Sequence, residues 1–283
     1  MQSHYMSVET LAVTSSIRLS TGYDMPRLGF GVYQNYTTHD SVLEALRAGY
    51  RLVDTAQAYR NEAGVGSALR ASGLPREEVF LTTKCISKTH GYEKTSHAVD
   101  VSLERLGVDY IDLFLIHDPF KGRDLRLETY RALLDAQRAR KIRTVGVSNF
   151  GIKHLEELRN AGLKTPSVNQ IELHPFCQQR PIVAYCHEQG IVVQAYSPLV
   201  RGQLDHAVFE QLAHKHKRDP AQILLRWSLQ KGYVPLPKSA KTTRIRSNAD
   251  LYNFSLDVED IELLDGLDKG KDGAVTWNPV DAE

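Results

Sequence analysis

The chain has 283 residues, of which 42% are hydrophobic and 24% are charged, and its formal net charge is +1. This composition is typical of a globular protein with a large buried core, built as one α/β barrel or as two smaller domains. Basic residues are spread along the chain, so neither composition nor charge favours a nucleic-acid partner or an anionic membrane surface.

The cysteines and the N-terminal residues indicate the cellular compartment in which the protein is expected. The three cysteines are scattered and form no CxxC motif, so we expect reduced thiols and a cytoplasmic protein. Residues 1–16 have the composition of a loose polar leader, without the basic and apolar segments of a signal peptide. No apolar run approaches the length that a membrane span requires.

The predicted elements begin with a hairpin over residues 17–28, IRLSTGYDMPRL, with turn composition at 20–22. Apolar runs of strand length then alternate with segments of helical spacing, of which the first covers about 39–48 and stops at Gly49. The strand-like runs are LGFGVY (28–33), RLV (51–53), VFLTT (79–83), IDLFLI (111–116), IRTVGV (142–147), SVNQIEL (167–173), IVVQAY (191–196) and YVPLP (233–237).

Eight strand-like runs separated by helical segments predict an α/β fold. Short buried strands that alternate with helices are typical of a parallel sheet, and eight such units in this length predict a closed (β/α)8 TIM barrel. Further helices are predicted around 205–216 and 257–267, before a C-terminal tail. No linker, repeat or low-complexity stretch interrupts the chain, so we predict a single domain over residues 17–283.

Polar side chains follow three consecutive strands at the point where each strand ends. Asp54 follows RLV, Lys84 follows VFLTT and His117 follows IDLFLI, while Tyr59 comes five residues after Asp54. The carboxyl ends of barrel strands meet at one rim, so we expect these four side chains to share a cleft. Each residue alone has a structural explanation, such as a helix cap or a solvated lysine. Their joint occurrence after clean apolar strands favours a catalytic site.

These four residue types suit the protonation of a substrate oxygen. A free tyrosine has a pKa of about 10, which is too high for efficient proton donation near neutrality. An adjacent ammonium is expected to lower that pKa, and a carboxylate paired with the lysine keeps it charged and oriented. A histidine can hydrogen-bond the carbonyl oxygen. Since none of the four is an evident nucleophile, an external hydride donor fits the site.

The set Asp54, Tyr59, Lys84 and His117 resembles the catalytic tetrad of the aldo-keto reductases. The motifs LGFGVY, VDTAxxYxNE, GVSNF, NQIELHP, AYSPL and PKS resemble those of the same family, in the expected order and from about residue 17 to 280. The resemblance implies a (β/α)8 barrel with a hairpin at its base and the reduction of aldehydes and ketones by NADPH. Tyr59 would be the general acid, tuned by Lys84 and Asp54, and His117 would orient the carbonyl.

The resemblance also implies a binding site for NADPH in an extended conformation, and the chain indeed has no G-x-G-x-x-G fingerprint. Tyr196 would stack on the nicotinamide, and Lys238 with Arg244 would bind the 2′-phosphate. The positions implied to contact the cofactor are Gly31, Val32, Ser148, Asn149, Gln170, Tyr196, Ser197, Leu199, Lys238, Ser239, Arg244 and Asn248.

Some positions depart from the family pattern. The resemblance implies that Asn248 contacts the adenine of the cofactor, at the end of a family motif R-x-x-E-N. This chain has Ser247 in place of the glutamate, which weakens that implied contact, while Arg246 adds positive charge nearby. Two positions that are tryptophan in many relatives are Ile86 and Asp118 here, so the pocket loses two aromatic walls and gains a carboxylate. The substrate pocket is therefore expected to be lined by Tyr33, Ile86, Asp118, Phe120 and Trp277.

Two other functions remain open from the sequence. Lys84 could be the nucleophile of a Schiff-base aldolase on the same barrel, although that chemistry gives no role to the cofactor series. A non-enzymatic alternative is an NADPH-binding regulatory or structural subunit, because fold does not fix function. The preferred prediction is an NADPH-dependent carbonyl reductase that acts on a small molecule, as a cytoplasmic monomer with no metal, nucleic-acid or membrane partner.

Overall fold

The computed structural model describes residues 11–283, so the first ten residues of the predicted leader lie outside the described residues. The predicted hairpin is present: β1 (Ser16–Arg18) pairs antiparallel with β2 (Asp24–Pro26). Gly22 in the connecting turn has φ +86°, a left-handed conformation that glycine adopts without steric strain. Before the hairpin, Leu11 packs against the hydrophobic core.

Within residues 11–283, eight further strands form one parallel sheet in which each strand pairs with the next in the chain. They are β3 (Phe30–Gly31), β4 (Leu52–Asp54), β5 (Phe80–Cys85), β6 (Ile111–Ile116), β7 (Ile142–Ser148), β8 (Val168–Glu172), β9 (Val192–Tyr196) and β10 (Val234–Pro235). Each lies within one of the predicted runs or overlaps it. Backbone hydrogen bonds from Gly29 to Pro235 (3.1 Å) and from Gly31 to Pro237 (2.9 Å) join the first strand segment to the last.

Helices follow the strands as the spacing of apolar residues predicts. They are α1 (Thr38–Arg47), α2 (Glu62–Ser72), α3 (Tyr92–Leu106), α4 (Gly122–Arg138), α5 (Ile152–Asn160), α6 (Arg180–Glu188), α7 (Ala207–His216), α8 (Pro220–Gln230), α9 (Thr242–Ser247) and α10 (Val258–Asp265). Gly107, at φ +64°, terminates α3, and the side chain of Asp257 caps α10 by accepting from Asp260 N at 2.9 Å. In the described part of the chain, no helix combines the length and apolarity that crossing a membrane requires.

The core has two layers because apolar side chains point to both faces of the sheet. In β6, Phe114 and Ile116 belong to the large cluster between sheet and helices, whereas Leu113 and Leu115 belong to a smaller cluster inside the sheet. The hairpin contributes Met25 to that inner cluster, together with side chains from the amino-terminal parts of several strands. It therefore covers the amino end of the sheet and leaves the carboxyl end for a site.

Candidate active site

Lys84 lies at the centre of the candidate site, near the carboxyl end of β5. Its side chain is fully buried, and its ammonium donates to Asp54 Oδ1 (2.6 Å), to the carbonyl oxygen of Thr55 (3.0 Å) and to Tyr59 OH (3.4 Å). These contacts use all three N–H bonds of the ammonium. A lysine so enclosed is poorly placed to attack a substrate carbonyl, as the aldolase alternative requires.

The turn that carries Tyr59 is fixed from outside the cleft. Tyr59 ends a single turn of 3-10 helix, Gln57–Tyr59, that follows β4. The buried amide of Gln57 donates to the carbonyl oxygen of Ala98 and to Ser102 Oγ, both at 2.9 Å, and so ties the turn to α3. The anchor holds the phenol where Lys84 reaches it, and the sequence motif alone did not indicate this role of Gln57.

The charges around the phenol differ from the sequence-based expectation. Burial raises the pKa of Tyr59 well above its ordinary value, and the nearby carboxylate of Asp54 raises it further. Burial also lowers the pKa of Lys84, against the opposing effect of Asp54. The expectation that the ammonium would lower the tyrosine pKa is therefore wrong for the free protein. The physical reason is that Asp54 and Lys84 form a nearly neutral pair, which leaves burial as the dominant effect.

His117 faces the phenol and is uncharged at neutral pH. Its ring lies edge-on to that of Tyr59, with ring centroids 5.6 Å apart. Burial lowers the pKa of His117 to about 3, and the positive charge of Lys84 contributes in the same direction. A neutral imidazole in this position can donate a hydrogen bond to an oxygen bound near Tyr59.

Asn149 connects His117, of the predicted catalytic set, with Tyr196, the residue expected to stack on the nicotinamide. Its amide nitrogen donates to the carbonyl oxygen of His117 at 3.0 Å, and its amide oxygen accepts from Tyr196 OH at 2.8 Å. Asn149 adopts φ +61°, a conformation that asparagine tolerates better than most residues. The predicted stacking residue Tyr196 is thereby held in a fixed relation to His117.

Gln170 makes the second connection between these two groups. Its side-chain amide nitrogen donates to Asp54 Oδ2 at 2.8 Å and to Gln194 Oε1 at 2.9 Å, and its backbone carbonyl oxygen accepts from Ser148 Oγ at 2.8 Å. Ser148, Asn149 and Gln170 are all buried. Sequence reasoning missed Gln194, although a polar residue inside the apolar run IVVQAY is a signal that could have identified it.

The predicted phosphate-binding residues lie after β10 and on α9. Lys238 and Arg244 are exposed, and neither side chain forms an ion pair with any part of residues 11–283. Arg246 differs, because its guanidinium pairs with Glu44 at 2.6 Å. The extra positive charge expected from Arg246 is therefore neutralised within the protein, while Lys238 and Arg244 remain available to an anion.

The other predicted cofactor residues have varied surroundings. Ser239 is buried and its hydroxyl accepts from Lys241 N at 3.0 Å, while the buried Asn248 follows directly after α9. Ser197 and Leu199 lie in the half-buried loop after β9. Gly31 lies in β3, where an added Cβ would come within 3.3 Å of a carbonyl oxygen. Val32 is fully buried in the core, so its side chain is not presented to a ligand.

Three aromatic side chains surround Tyr59 and His117 and are partly open to solvent. Tyr33 lies 5.0 Å from Tyr59, and Trp277 lies 6.0 Å from His117, both measured between ring centroids. Phe120 packs against Trp277 at 5.7 Å. Exposed aromatic surface of this kind is typical of a ligand-binding pocket. The structure thus brings together three of the five expected pocket residues.

The other two expected pocket residues have different surroundings. Asp118 is buried, and its Oδ1 accepts from Ser87 Oγ at 2.5 Å and from Phe120 N at 3.2 Å. These bonds hold the loop that carries Phe120, so the carboxylate fixes the position of a pocket residue and does not itself face the pocket. Ile86 and Thr89, in the segment after β5, line a groove of about 580 Å³ together with residues of α2 and α3.

The buried carboxylate of Glu172, at the end of β8, is a residue that sequence reasoning did not single out. It accepts hydrogen bonds from the C-terminal tail at Val275 N and Thr276 N. An acidic residue within the buried run SVNQIEL was a signal for it, whereas nothing in the sequence marked Thr276 as its partner. Within residues 11–283, no group of three or more His, Cys, Asp or Glu residues is arranged to hold a metal ion.

Comparison with known proteins gives the family. The profile of the Aldo/keto reductase family matches residues 27–269. The chain is 45% identical over 273 residues to glyoxal reductase of Bacillus subtilis, covering 95% of this chain and 97% of that protein. It is 42% identical over 262 residues to a 9,11-endoperoxide prostaglandin H2 reductase of Trypanosoma cruzi, covering 90% of this chain and 92% of that protein.

Solved structures agree with the sequence relatives. An aldo-keto reductase from a deep-sea metagenome library has a TM-score of 0.88 at 40% identity, with 91% of this chain and 96% of that chain covered. A Gox0644 variant in complex with NADPH has a TM-score of 0.90 at 36% identity, with 95% and 99% covered. A family match over most of the chain, close relatives and the same fold together show that this chain belongs to the aldo/keto reductase family.

Proposed function

We propose that this protein reduces aldehydes and ketones to alcohols with NADPH, at the carboxyl end of a closed (β/α)8 barrel. The contact of Tyr59 OH with the buried ammonium of Lys84, itself paired with Asp54, carries this proposal. The two hydrogen bonds between the first and last strand segments support closure of the barrel. NADPH supplies a hydride when it is bound.

Tyr59 is proposed as the general acid. Its raised pKa keeps the proton on the phenol of the free protein at neutral pH, so the group is ready to donate. Once the proton has gone to the substrate oxygen, the ammonium of Lys84 stabilises the phenolate that remains. His117, neutral because burial lowers its pKa to about 3, donates a hydrogen bond to the same oxygen and orients the carbonyl.

Two groups of residues suit two parts of NADPH, namely the nicotinamide and the 2′-phosphate. The buried polar side chains of Ser148, Asn149 and Gln170 would hold the carboxamide of the nicotinamide, beside Tyr196. The exposed cations described above, at the other end of the site, would bind the 2′-phosphate, which distinguishes NADPH from NADH. The NADPH complex of Gox0644 and an NADP complex of an aldo-keto reductase from Bombyx mori, at 36% and 34% identity, support the choice of cofactor.

Small aldehydes and α-dicarbonyl compounds are the proposed substrates. The rings of Tyr33 and Trp277 lie 5.0 Å from Tyr59 and 6.0 Å from His117, so aromatic side chains border the space in front of these two groups. The Bacillus subtilis relative is named glyoxal reductase, which supports the same class of substrate.

The experiment is to follow NADPH oxidation with glyoxal, methylglyoxal, benzaldehyde and a bulky aromatic ketone, each beside NADH. We expect turnover with NADPH and the highest kcat/KM for the small dicarbonyls. Tight NADPH binding without turnover of any carbonyl would contradict the proposal and favour a regulatory or structural subunit.

We also propose that residues 17–283 form one domain and that the protein is a cytoplasmic monomer. All three cysteines are buried and unpaired, which suits a reducing compartment. Light scattering at several protein concentrations tests the monomer, because a dimer would give twice the mass.

A further inference from the structure

The carboxylate of Glu172 holds the C-terminal tail at one point. The side chain is fully buried at the end of β8. Its oxygens accept from Val275 N (2.5 Å), from Thr276 N (3.2 Å), from the hydroxyl of Thr276 and from His174 Nε2 (3.0 Å). Burial acts to raise the pKa of Glu172, but these hydrogen bonds outweigh it and lower the pKa, so the carboxylate stays charged.

The held segment lies directly against the catalytic group. Thr276 Oγ1 is 3.4 Å from Tyr196 OH, and the next residue, Trp277, packs edge-on to His117. Trp277 is 53% exposed, and its side chain contacts the rings of His117 and Phe120 and interacts with Tyr196. The backbone that Glu172 holds sets the point from which the ring reaches these partners, so its place over the site depends on both.

The tail is held a second time beyond Trp277. Arg126 donates to the carbonyl oxygen of Glu283 at 3.0 Å, and His154 Nε2 lies 2.8 Å from the carbonyl oxygen of Ala282. Val280 is buried against Gly151. Loss of the contact with Glu172 would therefore free a short segment around Trp277, while the rest of the tail stays in place.

We propose that Glu172 is a positioning residue that latches residues 275–277 over the catalytic site and so selects carbonyl substrates by size. The size selection rests on the proposed reductase function, but the latch itself does not. A carboxylate that accepts several N–H and O–H bonds in a buried setting is held more firmly than a neutral acceptor. The wall formed by Trp277 is accordingly rigid in the native protein and loosens when the charge is removed.

The latch is tested by amide hydrogen exchange in two variants. Glu172→Gln removes the charge, and Thr276→Val removes one donor from the tail side without touching the core. We expect the peptide over 274–278 to exchange about tenfold faster in Glu172→Gln and by a smaller factor in Thr276→Val. If Glu172→Gln fails to fold, Thr276→Val decides the question alone.

Asp112→Asn is the matched control. Asp112 is also buried, accepts from Leu81 N at 3.0 Å and pairs with Arg76 at 2.7 Å. It lies near the amino end of β6, away from the tail. This variant loses the same charge and is expected to speed exchange near Leu81 but not over 274–278.

Size selection is tested by kinetics of the same variants. With glyoxal we expect KM to rise while kcat stays nearly unchanged, since a loose wall weakens binding without altering proton transfer. We expect kcat/KM for a bulky aromatic ketone, relative to glyoxal, to rise about fivefold. A purely structural role would lower kcat for both substrates alike.

Each outcome separates the two parts of the proposal. Unchanged exchange over 274–278 would overturn the latch. Faster exchange with unchanged substrate preference would overturn the selection by size. If the native protein turned over no carbonyl, the reductase proposal and size selection would both fall, while exchange would still decide the latch.

Discussion

At the scale of single residues, the surroundings of Tyr59 determine which direction of proton transfer is favoured. Burial and Asp54 raise its pKa, so the free protein holds a neutral phenol. The ammonium of Lys84 is in contact with the hydroxyl but is already paired with Asp54 at 2.6 Å. In the proposed mechanism this contact orients the hydroxyl and offers a hydrogen-bond donor to the phenolate, while the raised pKa keeps the proton on Tyr59 until a substrate oxygen accepts it.

The first prediction concerns this hydroxyl. Tyr59→Phe should fold, bind NADPH normally and lose about 10²- to 10⁴-fold in kcat, because only the proton donor is removed. The measurement is steady-state turnover together with NADPH binding by fluorescence. Tyr33→Phe is the control, since its ring packs against Tyr59 at 5.0 Å but it lacks the contact with Lys84. Near-normal turnover in Tyr59→Phe would rule out the mechanism.

A second prediction concerns the free cations. Lys238→Ala or Arg244→Ala should raise KM for NADPH about tenfold and leave KM for NADH nearly unchanged, because charge-assisted bonds to the 2′-phosphate are lost. Arg246→Ala is the matched control on the same helix, as its guanidinium pairs with Glu44. Equal effects on both cofactors would place the 2′-phosphate elsewhere.

At the scale of elements, the packing of α2 on α3 brings two backbones close together. Gly66 in α2 lies against the carbonyl group of Leu106, and an added Cβ would overlap that oxygen. A Cβ added at Gly64, two residues earlier in the same helix, would come no closer than 3.4 Å, to Thr38 Cβ. Glycine is thus required by packing at one of these positions and only tolerated at the other.

The third prediction follows from this difference. Gly66→Ala should lower the free energy of unfolding by about 1–3 kcal/mol, because overpacking outweighs the better helix propensity of alanine. Gly64→Ala should leave stability unchanged or raise it by up to about 1 kcal/mol. Urea denaturation of both variants gives the comparison, and equal effects would contradict the packing argument.

At the scale of the whole molecule, burial of histidines couples stability to pH. Burial lowers the pKa of His117 to about 3, and it also lowers the pKa values of His90, His154 and His187. The unfolded chain takes up these protons near pH 6.5, whereas the folded protein takes them up only at lower pH. Stability from these groups is therefore present above about pH 6.5 and is lost as pH falls toward the folded-state pKa values.

The fourth prediction is that the free energy of unfolding decreases between about pH 6.5 and pH 4. His117→Asn should make this decrease shallower, because one group with a depressed pKa is gone. Urea denaturation across the pH series measures the slope. A native slope in His117→Asn would contradict the argument.

The order of the strands and helices, and the identity of the residues at the centre of the site, could be predicted from local sequence patterns. Strand and helix patterns are local, since apolar spacing and terminating glycines such as Gly107 act within a few residues. The positions of Asp54 and Lys84 at strand ends could be read for the same reason. Because parallel strands align their carboxyl ends, their meeting in one cleft followed from the fold.

The contacts that support the site and the charges around it follow from long-range packing and could not be predicted from local sequence patterns. The bond of Arg246 to Glu44 spans 202 residues of chain, and that of Glu172 to Thr276 spans 104. No local pattern encodes such contacts, because they depend on which loops the folded chain brings side by side. The raised pKa of Tyr59 belongs to the same class, since burial and the pairing of neighbouring charges exist only once the chain has folded.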